Sequence, residues 1–307
     1  MNVEWRAYTE SHQQHTVVGD LQVARVAAPM LGGDREVLCL LPPGAEASGR
    51  RYPVVYMFDG QNLFDAATSY AGEWQVDETM AALRAEGLEA IIVGLTNGGE
   101  ARLAEYTPYP SSRRGPVSAG RGSATLSFLA ESLKPLIDAS FPTRPERDAT
   151  AVAGSSLGGL MSLYAAWERP DLFGAAAAFS PAFPPGQTAL VERIGSAQRP
   201  SIRVYLDTGG REGSDMRLDH AIRFWSWSFR RDVRRCRDAL LRAGFRDGSD
   251  LCYVEDDQAT HSEAAWAARL PGALRFLLRG EGDGHPPARL RGPSSARDVR
   301  GSGRPAP

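Results

Sequence analysis

The sequence predicts an α/β fold, with a mostly parallel central sheet and helices on both of its faces. Three observations carry the expectation. Short apolar runs, each closed by polar or glycine-containing turns, recur along the chain as "YPVVYMF", "EAIIVGLT", "ATAVAG", "AAAAFS", "IRVYLDT" and "DLCYVED". Helical patterns stand between most of them: "VDETMAALRAE", "TLSFLAESLKPLIDASF", "GLMSLYAAWER", "RRDVRRCRDALLRAG" and "EAAWAARLPGALRFLLRG". Strands alternating with helices require crossover connections, and these build parallel sheets covered on both sides. Finally, "ATAVAG" runs through two serines directly into a helix, a sharp strand-to-helix turn.

Ahead of these elements, "TVVGDLQVARV" and "REVLCLL" read as paired antiparallel edge strands. No internal repeat interrupts the order. From Gly280 the composition changes to "GEGDGHPPARLRGPSSARDVRGSGRPAP", rich in Gly, Pro and Arg and nearly free of large apolar side chains. Such a segment cannot bury a core. The expected organisation is therefore one domain over residues 1–279 and a disordered tail over 280–307, its arginines solvated.

Composition narrows the function. The 307 residues are 42% hydrophobic, enough for a large core, and the formal charge of −2 argues against a nucleic-acid-binding or polyanion-binding face. No apolar run approaches membrane-spanning length, so no membrane partner is expected. The opening "MNVEWRAYTESHQQH" lacks the basic head and apolar stretch of a signal peptide, which predicts a cytoplasmic location. Cys39, Cys236 and Cys252 are odd in number and far apart, and read as reduced, buried small hydrophobes. No metal-ligand cluster is visible and no cofactor is expected.

The serines carry the chemistry. Gly154-Ser155-Ser156-Leu157-Gly158 fits G-x-S-x-G with Ser156 at the centre; centring on Ser155 would need glycine where Ala153 and Leu157 stand. In this spacing a serine sits on a strained turn with its hydroxyl proud of the sheet, while the glycines let strand and helix pass closely. A serine hydroxyl needs a base, and histidine is the usual one near neutral pH. Of five histidines, His12 and His15 precede the central strands and His285 lies in the tail. In the order nucleophile, acid, histidine that accompanies such an elbow in α/β-hydrolases, His261 follows the last strand and is the expected base. His220 falls between the acid and base positions, on a helix or lid.

The acid should end the second strand after the elbow helix, where "IRVYLDTGGREGSD" offers Asp207, Glu212 and Asp215. Asp207 is still inside the strand, placed to hydrogen-bond a turn. Glu212 follows a turn permitted by Gly209-Gly210 and can curl back over the sheet edge; Asp215 is the reserve. A developing oxyanion also needs backbone donors. Leu157, directly after the nucleophile, should supply one. The loop "DGQNLFD" after "VVYMF" should supply the other through the N–H of Gln61, with Gly60 making the tight turn.

The chain resembles the putative-esterase branch of the α/β-hydrolase superfamily, which holds siderophore esterases, feruloyl and acetyl-xylan esterases, S-formylglutathione hydrolases and mycolyltransferases. The resemblance runs from about residue 35 to 279 and rests on "VVYMFDGQNLF", "EWQVDETM", "IIVGLTNGGEARLAEYTP", "LSFLAESLKPLID", "VAGSSLGGLMSLYAAWERPDLFGAAAAFSPAF", "VYLDTGGREG" and "HSEAAWAARLPGALRFL". It implies an α/β-hydrolase fold and the same three residues: Ser156 as nucleophile, Glu212 as acid and His261 as base. The family's R-x-x-E-Y-x-P stretch corresponds to Arg102, Glu105, Tyr106 and Pro108. Arg102 and Glu105 then form an ion pair that pins the loop, or Arg102 and Tyr106 line the substrate pocket. The following loop carries Arg113, Arg114 and Arg121, over the sheet edge where α/β ligands bind; these would suit an anionic ester unless they are only solvated. Trp225, Trp227 and Trp266 read first as core.

The expected function is a serine carboxylic-ester hydrolase working through an acyl-enzyme on a small-molecule ester. The alternatives are a siderophore trilactone esterase, an acyltransferase on the same triad, and a binding protein on a disabled hydrolase scaffold. The complete order of Ser156, Glu212 and His261 counts against the last.

Overall fold

A computed structural model describes residues 3–111, 118–212 and 220–278, with the backbone alone described over 220–228. Arg113, Arg114, Asp215, His285 and the 280–307 segment lie outside the described residues, as do the side chains of His220, Trp225 and Trp227.

Among the described residues nine strands form one sheet: β1 (Arg6–Ala7), β2 (Asp20–Val26), β3 (Arg35–Leu41), β4 (Val54–Phe58), β5 (Ile91–Leu95), β6 (Thr150–Ser155), β7 (Ala175–Phe179), β8 (Arg203–Gly209) and β9 (Leu251–Asp256). Their spatial order is β1-β2-β3-β5-β4-β6-β7-β8-β9. The first three join antiparallel, and β3 meets β5 antiparallel; from β5 onward every pairing is parallel. The helices are α1 (Tyr8–Ser11), α2 (Val76–Arg84), α3 (Arg102–Glu105), α4 (Gly122–Ser127), α5 (Lys134–Ser140), α6 (Leu157–Glu168), α7 (Thr188–Ser196), α8 (His220–Arg242) and α9 (Glu263–Leu278). This is the α/β-hydrolase arrangement.

Strand alternation explains why helices cover both faces. Val54, Tyr56, Val93, Val152 and Val204 point to one core with Leu160 of α6, Leu190 of α7 and Val233 of α8. Val55, Met57, Ile92, Ala151 and Tyr205 point to the other, with Val76 and Met80 of α2 and Trp266, Leu270 and Leu274 of α9. Because the period along a strand is two, a run such as "VVYMF" feeds both cores and must be apolar throughout. The three cysteines are buried and form no disulfide, Cys39 and Cys236 in the first core and Cys252 in the second.

Three local departures from the expectation have physical causes. β2 begins at Asp20 rather than Thr16, because carboxylates take the preceding donors: Thr16 N–H reaches Asp65 Oδ1 at 3.3 Å and Val18 N–H reaches Asp77 Oδ2 at 2.6 Å. The helix expected over 125–141 is broken by a wide π turn at Phe128–Leu133, in which Lys134 N–H bonds Leu129 O, five residues back. Pro135 follows immediately and offers no N–H of its own. α7 was not signalled by the sequence: only Leu190 and Ile194, one turn apart, are buried on it.

Candidate active site

The carboxyl ends of the parallel strands converge on one edge, where an open α/β sheet receives ligands. There β6 ends at Ser155, α6 begins at Leu157, and Ser156 alone makes the turn, with φ 54° and ψ −120°. Positive φ on a residue with a side chain is strained. It persists here because both backbone polar groups of Ser156 are held: its N–H bonds Phe179 O at 2.9 Å, and its C=O accepts Leu160 N–H and Ala182 N–H at 3.1 and 3.0 Å. Each nearby glycine has a distinct steric reason. A Cβ on Gly154 would stand 2.7 Å from the Gly158 carbonyl, and one on Gly159 would meet the Gly154 and Phe179 oxygens at 3.2 Å. Ser155 is buried as the last residue of its strand, so the elbow belongs to Ser156.

His261 arrives from the loop between β9 and α9 and Glu212 from the loop after β8. The structure brings them together: His261 Nδ1 lies 2.6 Å from Glu212 Oε2, with both side chains almost buried. The imidazole is fixed on two further sides, by Phe229 with ring centroids 4.7 Å apart and by the edge of Trp266 at 4.9 Å. Oε1 of Glu212 accepts Gly209 N–H and the Ser180 hydroxyl, each at 2.6 Å. Burial alone would push the Glu212 carboxyl up; the bonds from His261, Ser180 and Gly209 outweigh it and hold the carboxyl below its usual range.

Gly209 and Gly210 do allow the approach of Glu212, but not through left-handed backbone. Neither has positive φ. Their hydrogens make room for the 257–259 segment, since a Cβ would stand 2.3 Å from Ala259 O at Gly209 and 2.5 Å from Asp257 O at Gly210. Asp207 takes the structural part: its carboxylate receives Ser180 N–H at 2.8 Å, the Tyr205 hydroxyl at 3.0 Å and Arg269 Nε at 2.7 Å.

The loop after β4 differs from the expectation in its turn. The left-handed residue is Asp59, with φ 59°, and Gly60 is needed instead for close approach, its missing Cβ lying 2.7 Å from the Gly94 backbone. Gln61 sits in the short turn of helix that follows, and its Oε1 accepts Asn97 N–H at 3.3 Å. Among the described residues, neither the Gln61 N–H nor the Leu157 N–H has an acceptor; Leu157, opening α6, has no preceding helical carbonyl to use.

The expected pair of Arg102 with Glu105 does not form. Arg102 donates to Asp59 through Nε at 2.7 Å and Nη2 at 2.8 Å, while Glu105 turns the other way into a buried pair with Arg35. The reason is placement: Arg102 opens the one-turn α3 facing the β4 loop, and Glu105 closes it facing β3. Burial works against the Arg102 charge, but Asp59 more than restores it and raises the guanidinium above its usual range. Tyr106 is buried, its ring 5.1 Å from Phe58 and 5.2 Å from the Arg102 guanidinium, and its hydroxyl accepts Asp59 N–H at 3.3 Å. Arg121 donates to Met30 O at 2.9 Å, a structural tether.

Ser180, Arg269, Asn97 and Glu263 were not singled out from the sequence. Glu263, in the first turn of α9, is buried and accepts Asn62 Nδ2 at 3.4 Å; burial, with Asp59 nearby, raises its carboxyl. Only "FSP" ending a strand and "THSE" opening a helix could have hinted at two of these. Trp266 is core, as expected, but its indole N–H also reaches Ser180 Oγ at 3.3 Å.

Comparison with known proteins gives the family and the fold. The chain is 26% identical over 251 residues to the uncharacterized protein YbbA of Bacillus subtilis, covering 80% of this chain and 93% of that one. It is 32% identical over 132 residues to the siderophore triacetylfusarinine C esterase of Aspergillus fumigatus, covering 42% of this chain and 44% of that one. A solved ferulic acid esterase superposes with a TM-score of 0.63 at 19% identity, over 85% of this chain and 98% of the other, and so shares the fold. The family model described as "Putative esterase" matches residues 28–277, from ahead of β3 to the end of α9. The chain therefore belongs to that family of α/β-hydrolase fold, and it is a carboxylic-ester hydrolase.

Proposed function

We propose that the chain hydrolyses its ester through an acyl-enzyme formed on Ser156, with His261 as base and Glu212 as the orienting acid. The observation that supports this most is the 2.6 Å contact between His261 Nδ1 and Glu212 Oε2. An ionised Glu212 accepts a hydrogen bond from Nδ1–H and stays ionised, which holds the tautomer whose Nε2 is the basic nitrogen for the Ser156 hydroxyl. Ser156 Oγ attacks the ester carbonyl as Nε2 accepts its proton. The N–H groups of Leu157 and Gln61 receive the negative oxygen. The imidazolium then protonates the departing alcohol as the acyl–oxygen bond breaks. Water attacks the acyl-enzyme, gives its proton to Nε2, and the acid leaves with Ser156 restored. Arg102 and Tyr106 serve this cycle indirectly, by holding Asp59 at the start of the loop that carries Gln61.

A fluorophosphonate probe tests the reading. One adduct is expected, on Ser156 by peptide mapping, and Ser156→Ala should abolish both labelling and hydrolysis of aryl esters. A protein labelled elsewhere, or not at all, rules the assignment out. Siderophore lactones are the second substrate reading, favoured by the siderophore esterase activity of the Aspergillus relative. The local charge lends it little: Arg102 is neutralised by Asp59 and Arg121 is tied to Met30. A hydrolysis screen across acyl lengths, aryl esters and ferric lactones separates the readings.

A further inference from the structure

Ser180 stands where β7 ends, fully buried and with φ 41°, a backbone conformation unusual for a residue with a side chain. Three groups surround its hydroxyl. Trp266 Nε1 and Arg269 Nη2 each lie 3.3 Å from Oγ, and Glu212 Oε1 lies 2.6 Å away. An indole N–H and a guanidinium can only donate. They occupy the two lone pairs of Oγ, so its one hydrogen has a single destination, the Glu212 carboxylate. The direction of this bond is set by chemistry rather than by a choice of rotor.

Behind Ser180 lies a second layer. Arg269 bonds Asp207 through Nε at 2.7 Å and Nη2 at 3.2 Å, and Asp207 Oδ1 returns to Ser180 N–H at 2.8 Å. Ser180 is thus held by backbone and hydroxyl at once. Burying the Arg269–Asp207 pair is a weak route to stability, and its geometry points elsewhere: guanidinium and carboxylate each spend an interaction on Ser180.

We propose that Ser180 is a positioning residue for Glu212, a hydroxyl locked by Trp266, Arg269 and Asp207 so that Oε1 is clamped and Oε2 is presented to His261. The proposal rests on the reading of Glu212 and His261 as acid and base. Without the hydroxyl, Oε1 keeps Gly209 N–H at 2.6 Å and the longer contact of the Thr208 hydroxyl at 3.4 Å, and the carboxylate can turn about its last bond away from Nδ1. The groups facing Glu212 are His261 on the α9 side, Ser180 at the end of β7 with the Arg269 charge beyond it, and the Thr208 hydroxyl and Gly209 N–H of β8.

The test uses Ser180→Ala and Ser180→Gly in the full chain. Glycine accepts φ 41° without strain, so it keeps the experiment decisive if alanine does not fold. Each variant is measured for kcat and KM on an aryl ester, for melting temperature, and for the far-downfield imidazole Nδ1–H resonance of His261 by proton NMR with labelled histidine. Expected are a fall in kcat of about tenfold or more, the scale of a lost charge-assisted hydrogen bond in a buried site, KM within about twofold, and loss of the resonance to exchange broadening. A folded variant that keeps the wild-type resonance overturns the proposal, whatever its activity, because a merely structural Ser180 leaves the Glu212–His261 bond intact. A folded variant with kcat within twofold of wild type overturns it as well. Should the wild-type protein neither hydrolyse esters nor label at Ser156, the catalytic reading fails by itself, and the resonance still decides whether Ser180 holds Glu212.

Discussion

Arg102 grips Asp59 with two hydrogen bonds, Nε to Oδ1 at 2.7 Å and Nη2 to Oδ2 at 2.8 Å, and thereby fixes the residue from which the Gln61 loop departs. Asn97 Nδ2 adds a third bond to Oδ1 at 2.7 Å. The fork geometry matters, because a lysine cannot span both oxygens. Arg102→Lys and Arg102→Ala should both lower kcat, by about 10- to 10²-fold, less than the 10²–10³ that removing an oxyanion donor outright costs. KM should change little, and acidic and neutral esters should respond alike. A KM increase confined to acidic esters would instead place the guanidinium against substrate.

How far was this edge legible beforehand? The sharp turn at Ser156 and the contact between Glu212 and His261 follow from chain order: a serine between a strand and a helix, an acid after a later strand, a histidine after the last. Asp59 with Arg102 was not readable, since the pair spans 43 residues and a nearer acid, Glu105, offered itself at helical spacing. Ser180 was hidden for a related reason. A serine at the end of "AAAAF" looks like any strand terminus, and only the packing of α9 reveals that Trp266 and Arg269 reach it. Glycines were located correctly but for partly wrong reasons: at Gly60 and Gly209 the need is for close backbone approach, a three-dimensional fact.

Substitution of the two acids on β8 and its loop should separate catalysis from folding. Glu212→Gln keeps the shape but not the charge that orients His261, and should lose about 10²–10⁴-fold in kcat with a melting temperature near wild type. Asp207→Asn breaks a buried pair with Arg269, an injury of about 3–5 kcal/mol, so it should show chiefly as a lower melting temperature. Kinetics and melting curves measured on the same two preparations check the split. The largest kcat loss falling at Asp207 would reverse the assignment.

Close approach at Gly60 gives a steric prediction. A methyl there would meet the Gly94 carbonyl carbon and oxygen at 2.7 and 2.9 Å, and both are backbone atoms that cannot swing aside. Gly60→Ala should destabilise by about 1–3 kcal/mol, as overpacking does, and displace the Gln61 N–H. Denaturant melts and turnover should therefore fall together. Gly87→Ala is the comparison: nothing lies within 4 Å of its missing Cβ, but its φ is +80°, so it should lose stability through backbone strain with turnover per folded molecule unchanged.

Asp77, at the start of α2, links folding to pH in a direction opposite to that of Glu212. Burial pushes its carboxyl from 3.8 up to about 8, and the neighbouring Glu78 carboxyl adds to the rise. A folded-state value above the unfolded one means the native state holds the extra proton between about 4 and 8. Stability is then full below the lower value and declines as pH rises through the window. Asn has the shape of the protonated acid: its carbonyl can accept the Val18 N–H now bound to Oδ2 at 2.6 Å, and its amide can donate toward Glu78. Asp77→Asn should consequently be more stable than wild type at pH 8, by about 1–3 kcal/mol given ~1.4 kcal/mol per unit of separation and partial relaxation. The advantage should shrink steadily toward pH 5. Chemical denaturation at pH 5, 6.5 and 8 measures it, and a difference that stays constant or grows toward acid would show that Asp77 is ionised in the folded protein.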